Sequence, residues 1–403
     1  MSASLVASNM LGIPAAAQDF SRGLATADRY FYDGILPADL ASLVDPTLGG
    51  QLKGVIGYNL SVGVSYDSNI NLSSVNQEDD IFLSINPGIF YSSDPEGGAR
   101  HSITAYYSPK PEIFQNNSEN ARFNNNAGIY YRFAGSRTSI SAFLDYTQSS
   151  APDRFTNGFS EGSLLSYGLR ASYQLAPRTE IFGSLSSSYS TYETPGEQGA
   201  DFLTARFGGF WAATERLSIG PTVDLNVTDS VNTGKVTRIG GSLNARFVAT
   251  EKLNLRASIG VDEVNYSLGV TGDSARISGN LDFSYVINPL WTWNGSITYA
   301  NIPSPITAGL IINDWEIAMR LRRSLDVGSL GFVATYSFSD FQSIGFVPGV
   351  VTQNGSYYLV GVNYGRPFIS ERITFSTSLF YQESTGQANW SKWVLSCSWG
   401  TSF

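Results

Sequence analysis

One histidine, His101, and one cysteine, Cys397, are the only side chains of their kind in the 403-residue chain. A single cysteine forms no intrachain disulfide and supplies no thiolate cluster, and a single histidine supplies no histidine-rich metal site. Nucleophilic chemistry of the Ser–His or Cys–His type would depend on His101 alone. That residue follows Asp94-Pro95-Glu96-Gly97-Gly98, a short turn. No catalytic residue, metal ligand or cofactor site is therefore assigned. The remaining candidates are charged residues spread thinly along the chain: Arg132, Asp145, Arg170, Arg206, Asp224, Arg238, Arg246, Arg256, Asp262, Asp282, Glu316, Arg320 and Arg322. Their chemistry would be electrostatic, a field of both signs acting on whatever passes between them. The alternative is pairing across neighbouring strands, which would merely keep a wall polar.

The elements that must position these charges are strands. Around Tyr58–Tyr66, Tyr58, Leu60, Val62, Val64 and Tyr66 alternate with Asn59, Ser61, Gly63 and Ser65. Successive strand side chains point to opposite faces, so the run has an oily face and a wet one. The pattern recurs to the end of the chain, for example in Leu165–Tyr173, Ile239–Phe247, Leu253–Val261 and Trp315–Leu321. Each candidate charge falls on a wet face. Between Gln51 and Phe403 about 18 such runs are predicted, with 16 to 18 the expected range; an even number suits a bacterial outer-membrane barrel.

Composition agrees. Charged residues are only 15% of the chain and aromatics 13%, while mean hydropathy is near neutral at −0.07. Alternating oily and wet positions produce that combination. The net charge of −9 argues against a nucleic-acid partner. No uninterrupted apolar window reaches the length of a transmembrane helix.

Connections alternate in length. Tight turns are predicted at Ala134–Thr138, Ala176–Thr179, Ala213–Arg216, Ala249–Lys252, Asn288–Leu290 and Ser370–Arg372, several sharing an Ala-Thr-Glu-Arg/Lys-Leu pattern. Long polar loops are predicted at Asn71–Asp80, Lys110–Asn120, Gln148–Ser163, Glu193–Ala200, Ala300–Asp314, Ser339–Ser356 and Gln382–Ser391. Short periplasmic turns and long outer loops are the layout of an outer-membrane barrel, with both termini periplasmic. The acidic run Glu78-Asp79-Asp80 reads as a solvated loop. The apolar stretches Ile302–Ile312 and Ile344–Val351 read as loops that turn inward or pack as a lid. Tyr66 and Tyr91 flanking the first long loop, with Trp291, Trp293 and Trp315, read as interfacial girdles.

Ahead of the strands, residues 1–18 read as a signal peptide lacking its basic start, with a small-residue end at Ala15-Ala16-Ala17. Residues 19–50 read as a periplasmic segment with short helices at Ser21–Ala27 and Ala38–Leu43, too short for a plug domain. The barrel occupies 51–403.

The opening strand, Gly57 to Ile70 with its Tyr66-Asp67-Ser68-Asn69 element, resembles that of the type-two β-barrel porin family, whose members often show Tyr-Asp-x-Asn there and similar tight turns. The chain also ends on Phe403, which resembles the terminal aromatic read by the outer-membrane assembly machinery, although Thr401 departs from the common Tyr-x-Phe ending and Trp399 keeps the aromatic alternation. The resemblance covers roughly Gly50 to Phe403. It supports the architecture and says little about the solute; the strand number, the want of a plug domain and wet faces rich in Ser, Asn, Gly and Arg point to a porin-like channel passing small hydrophilic solutes, with outer-membrane lipid and the assembly machinery as partners. Some relatives are associated with exopolysaccharide export, which is the alternative function. The sequence leaves a homo-oligomer open.

Overall fold

The computed structural model describes residues 55–402 except 95–97, 119–120, 154–157, 193–198, 231–233, 268–274, 304–309, 344–353, 369–372 and 387–388. The expected leader and periplasmic segment, Phe403, the turn at Ser370–Arg372 and the apolar stretch Ile344–Val351 lie outside the described residues.

The described chain forms one closed antiparallel sheet of 18 strands. In chain order these are β1 (Val55–Asp67), β2 (Asp80–Ser92), β3 (His101–Phe114), β4 (Arg122–Ala134), β5 (Thr138–Asp153), β6 (Gly158–Ala176), β7 (Thr179–Tyr192), β8 (Ala200–Ala212) and β9 (Leu217–Ser230). They continue with β10 (Gly234–Thr250), β11 (Leu253–Tyr266), β12 (Arg276–Asn288), β13 (Trp291–Pro303), β14 (Leu310–Ser324), β15 (Ser329–Ser343), β16 (Gly355–Phe368), β17 (Ile373–Thr385) and β18 (Trp390–Ser402). Each strand pairs with the next, and β1 closes on β18 through pairs from Asn59↔Ser402 to Asp67↔Val394. Closure leaves no free edge, the condition for crossing hydrocarbon with strands.

The outward face is apolar and bare. Ile56, Phe207, Leu243, Ile259 and Ile277 are 58, 64, 57, 63 and 63% exposed. Exposed Leu, Ile and Phe around a whole barrel would be prohibitive in water, so this is the lipid face of an outer-membrane-type barrel. Aromatic pairs rim it: Tyr299 and Trp315 lie 4.5 Å apart by ring centroid, Tyr381 and Trp393 4.8 Å, and Arg323 stands 5.3 Å over Trp291. Tyr91 belongs to the opposite rim from Tyr66, contrary to the sequence reading: Tyr66 pairs with Ile81 and Tyr91 with Ile56, at the two ends of one hairpin.

Short turns close locally. The Thr214 hydroxyl accepts from the Arg216 and Leu217 amides at 3.2 and 3.0 Å, and the Thr250 hydroxyl from Lys252 at 3.2 Å. Asn288 Oδ1 accepts from Leu290 and Trp291 at 2.9 and 3.1 Å. These side-chain caps explain the recurring threonine.

At the other rim the strands run further than expected. Gln148–Ser163, Ala300–Asp314 and Gln382–Ser391 are mostly paired strand, as is Lys110–Phe114, and β15 carries on through Ser339–Ser343. In particular Ile302 and Pro303 pair with Ile312 and Ile311, so the apolar Ile302–Ile312 stretch is not one loop. Polarity there marks where the strands leave the lipid while remaining in the sheet.

Candidate functional site: the barrel interior

All the candidate charges but Arg132 and Arg322 sit beside an exposed apolar neighbour, such as Arg206 beside Phe207, Asp224 beside Val223 and Arg320 beside Met319, and those two keep the parity of their strands, Arg322 with Arg320 and Arg132 opposite to the exposed Ile129. Alternation therefore places all of them on the inward face. Their surroundings differ. Arg206 Nε and Asp224 Oδ1 form an ion pair across β8 and β9. Asp145 Oδ2 accepts from the hydroxyls of Tyr106 and Tyr130 at 2.6 and 2.7 Å. Arg170 stands 5.3 Å over Phe182, and Arg246 3.8 Å over Phe210. Arg238 Nη1 donates to the Asn301 carbonyl at 3.4 Å, and Asp282 accepts from Asn280 at 2.8 Å. Arg256 lies opposite Asp282 and Arg246 in the register. Asp262 is 8% exposed on the inward face of β11, and Glu316 and Arg322 are half-buried on that of β14. Arg132 and Arg320 are exposed within the barrel.

The arginines are not evenly spread along the axis. Arg132, Arg170, Arg246, Arg256, Arg320 and Arg322 lie in the halves of their strands nearer the short turns, Arg206 lies at mid-strand and Arg238 toward the long loops; of the candidate acids only Asp145, just inside the midpoint of β5, falls in a short-turn half. Asp145, Asp224 and Asp282 sit near mid-strand, and Asp262 lies toward the long-loop end.

The long-loop end carries a charge cluster that sequence reasoning missed. Lys392 Nζ bonds Asp67 Oδ2 at 2.8 Å, with the two side chains 5 and 6% exposed. Nearby Glu112 pairs with Lys110 at 2.7 Å and stands 4.0 Å from Arg122. The first of these pairs fixes the first outer loop, residues 68–79. Asp67 Oδ1 accepts from the Asn69 amide at 3.0 Å. Asn69 Nδ2 donates to the Ser73 and Ser391 carbonyls, each at 2.9 Å, and its Oδ1 accepts from the Ser73 amide at 3.0 Å. Ser68 exchanges bonds with Trp393, its amide donating at 3.0 Å and its Oγ accepting at 2.8 Å. The Tyr66 hydroxyl donates to Asp79 at 3.2 Å. All four residues of the Tyr66–Asn69 element thus tie this loop to β18 or to itself.

The tied loop folds inward. Ile70 and Leu72 are fully buried, and Leu72 packs with Tyr357, Leu359, Phe380 and Trp390, which lie on the inward faces of β16, β17 and β18. Leu72 has φ 52°, a left-handed backbone that costs a leucine about 1–3 kcal/mol. The packing of its side chain offsets that strain. Leu72→Ala is expected to free the loop from the wall and enlarge single-channel conductance; an unchanged conductance would mean that the loop does not narrow the lumen.

Asp80 departs from the solvated-loop reading. It is 2% exposed and accepts from the Asn116 and Asn117 amides at 3.1 and 2.9 Å, anchoring the loop after β3. Glu78 and Asp79 stay at the surface.

The interior also carries aromatic side chains, of which the alternation assigns only Tyr130 to it. Tyr106, Tyr130 and Phe143 stack across β3, β4 and β5 with centroids 6.2 and 6.4 Å apart and planes 15 and 16° from parallel. Phe182 and Phe210 stack at 5.7 Å. Phe90 and Phe380 lie over Gly57 and Gly361 of the adjacent strands, where any Cβ would collide with the ring. Glycine opposite an inward ring is the signal, readable only once the register is known.

His101 stands on the outward face, its Nδ1 2.8 Å from the Tyr131 hydroxyl and its ring 4.9 Å from Phe133. Cys397, also outward, has Sγ 3.4 Å from Thr377 Oγ1.

No family model matches the chain, and no curated protein matches it in sequence. Among solved structures, it is similar to OpdK of Pseudomonas aeruginosa, determined with vanillate, at 10% identity and a TM-score of 0.47, covering 86% of this chain and 99% of that one. OpdQ of the same organism gives 10% identity and 0.46, covering 87 and 98%. The siderophore receptor PirA of P. aeruginosa gives 10% and 0.43, covering 86 and 80%. At these scores the likenesses add no weight; the closed, lipid-facing barrel rests on the chain's own geometry.

Proposed function

We propose that the protein is an outer-membrane channel for passive diffusion of small hydrophilic solutes, with a preference for anions. The observation that carries this is the axial arrangement of the inward face: arginines gather toward the short-turn end of a barrel of 18 strands, a size that leaves room for water. Charges lining a water-filled pore act at close range, whereas those at the mouths are screened within about 8–10 Å at physiological salt. The acidic outer loops therefore weigh less than the interior arginines. The inward-folded first loop sets the narrowest part near the opposite end, so solutes meet a constriction and then a cationic stretch.

The Tyr66–Asn69 element supports the type-two porin reading, because all four residues serve the loop tie that a recurrent motif would preserve. Phe403 would serve the assembly machinery, and the apolar outer face would contact outer-membrane lipid. No enzymatic role is assigned.

Reversal potentials across a salt gradient test the selectivity. The wild-type channel is expected to favour chloride over potassium. The double variant Arg320→Glu/Arg322→Glu should move the reversal potential toward cation preference. Cation selectivity in the wild type would overturn the charge assignment while leaving a channel; absence of current through a folded barrel would overturn the channel and favour the export-associated reading.

A further inference from the structure

Two arginines stand together on the inward face of β14 with no counter-charge beside them among the described residues. Arg320 and Arg322 are two positions apart, so they share a face at a spacing of about 6.8 Å. No described residue gives either side chain a hydrogen bond or an ion pair, and Arg322 Nε is buried without a partner. Arg320 is exposed to the lumen. Inward arginines elsewhere are engaged with the wall: Arg206 has Asp224, Arg246 has Phe210 and Arg276 has Asn313.

The surroundings of the pair are neutral and rich in donors. On β13, Arg320 lies opposite Asn294 and Arg322 opposite Thr292. On β15 they lie opposite Val333 and Gly331, and Gly331 in turn faces Asn363 of β16. Asn363 leans over that glycine, its Oδ1 occupying the place a Cβ would take there. No side chain therefore stands between the Asn363 amide and Arg322. The side chains of Thr292, Asn294 and Asn363 also have no hydrogen-bond partner among the described residues. The acids around the patch are Glu316, two inward positions further along β14, Asp282 on β12, opposite Arg256, and Asp326 in the exposed turn after β14. None of them lies opposite Arg320 or Arg322 in the register.

Side by side, two guanidinium groups repel each other, and this wall does not neutralise them. Chloride or a carboxylate brings one negative charge. A phosphoryl group brings close to two at neutral pH, on three oxygens that accept strong hydrogen bonds. Those oxygens match the planar forks of two arginines, which bind phosphate in bidentate fashion. The neutral amides and hydroxyl beside the pair can donate to the same group without adding charge.

We propose that Arg320 and Arg322, with Thr292, Asn294 and Asn363 around them, form a binding site for a doubly charged phosphoryl group, free phosphate or a phosphomonoester, at the short-turn end of the lumen. The site rests on the anion-channel reading above and narrows that channel to one class of anion.

Planar-bilayer recording in potassium chloride tests it, with phosphate or acetate added at equal ionic strength and mildly alkaline pH. Phosphate is expected to reduce the chloride current saturably, half-maximally at a concentration about tenfold below that for acetate, the worth of one further charge-assisted hydrogen bond. Arg320→Lys/Arg322→Lys keeps both charges and loses both forks. Its reversal potential should stay on the anion side while the advantage of phosphate disappears. Phosphate no more effective than acetate in the wild type, or an advantage that survives in the lysine variant, would overturn the site. Should that variant not give the heat-modifiable band, Arg320→Gln decides, at a residue exposed to the lumen. With one guanidinium left, phosphate and acetate should act alike, and a retained advantage would overturn the site. Glycerol phosphate beside inorganic phosphate separates the two sources: a block by the ester at least as strong marks a phosphomonoester as an admitted solute, a weaker one marks the free ion, and each supports the site. Cation preference in chloride alone would overturn the channel's charge assignment. Anion preference without the phosphate effect would overturn this site and leave that assignment standing.

Discussion

Replacing Lys392 by methionine should both destabilise the barrel and open its pore. The ammonium is 5% exposed and bonded at 2.8 Å to Asp67, itself 6% exposed. Removing one partner of a buried pair leaves the other charge without compensation, typically at a cost of about 3–5 kcal/mol. The damage would be transmitted to the first outer loop, because the same carboxylate accepts from the Asn69 amide. The urea midpoint of the refolded protein is expected to fall, and conductance to become larger and noisier as Leu72 leaves the wall. Removing both charges, in Lys392→Met/Asp67→Asn, should recover most of the stability, since a buried ion pair is often replaceable by uncharged groups, and the side-chain amide oxygen introduced at position 67 would still accept from the Asn69 amide. A single variant as stable as the wild type would show that the pair is not buried from water as the structure has it. Equal losses in single and double variants would show that the cost is packing and not charge.

Leu243→Arg tests the lipid face with an effect of similar size. Leu243 is 57% exposed on β10, opposite Pro221 and Ile259 and far from both strand ends. Arginine on the lipid face at the bilayer midplane costs about 2–4 kcal/mol. Folding into lipid should therefore be impaired, read as loss of the heat-modifiable band on gels. From the sequence, the adjacent Asn244 is expected to tolerate arginine. The structure corrects that: Asn244 is 4% exposed, and its Nδ2 donates to Thr222 Oγ1 at 2.8 Å and to Ser242 Oγ at 3.2 Å. The proper comparator is Ser258, inward beside the 63% exposed Ile259 and less enclosed. Ser258→Arg should fold normally and alter conductance. Equal folding of Leu243→Arg and Ser258→Arg would contradict the face assignment.

Which features were legible in the sequence follows from what period two can carry. Alternation separates two faces and counts strands, so the barrel and its strand number could be read from runs such as Leu253–Val261. Turn chemistry is local, so Thr214, Thr250 and Asn288 announced their turns. Alternation fails where both faces are apolar. Ile81-Phe82-Leu83 and Ile89-Phe90-Tyr91 are continuous runs, and nothing in them assigns the phenylalanine inward until Gly57 is seen opposite Phe90. Contacts made by closure are invisible to any local reading: Asp67 and Lys392 lie 325 positions apart.

The channel itself is tested most directly by single-channel recording of the refolded protein in planar bilayers. A water-filled lumen narrowed by one tied loop should give discrete, ohmic current steps that grow when Leu72 or Lys392 is replaced, with a reversal potential on the anion side. A folded barrel, verified by heat-modifiable mobility, that passes no current in the wild type or in either variant would contradict it.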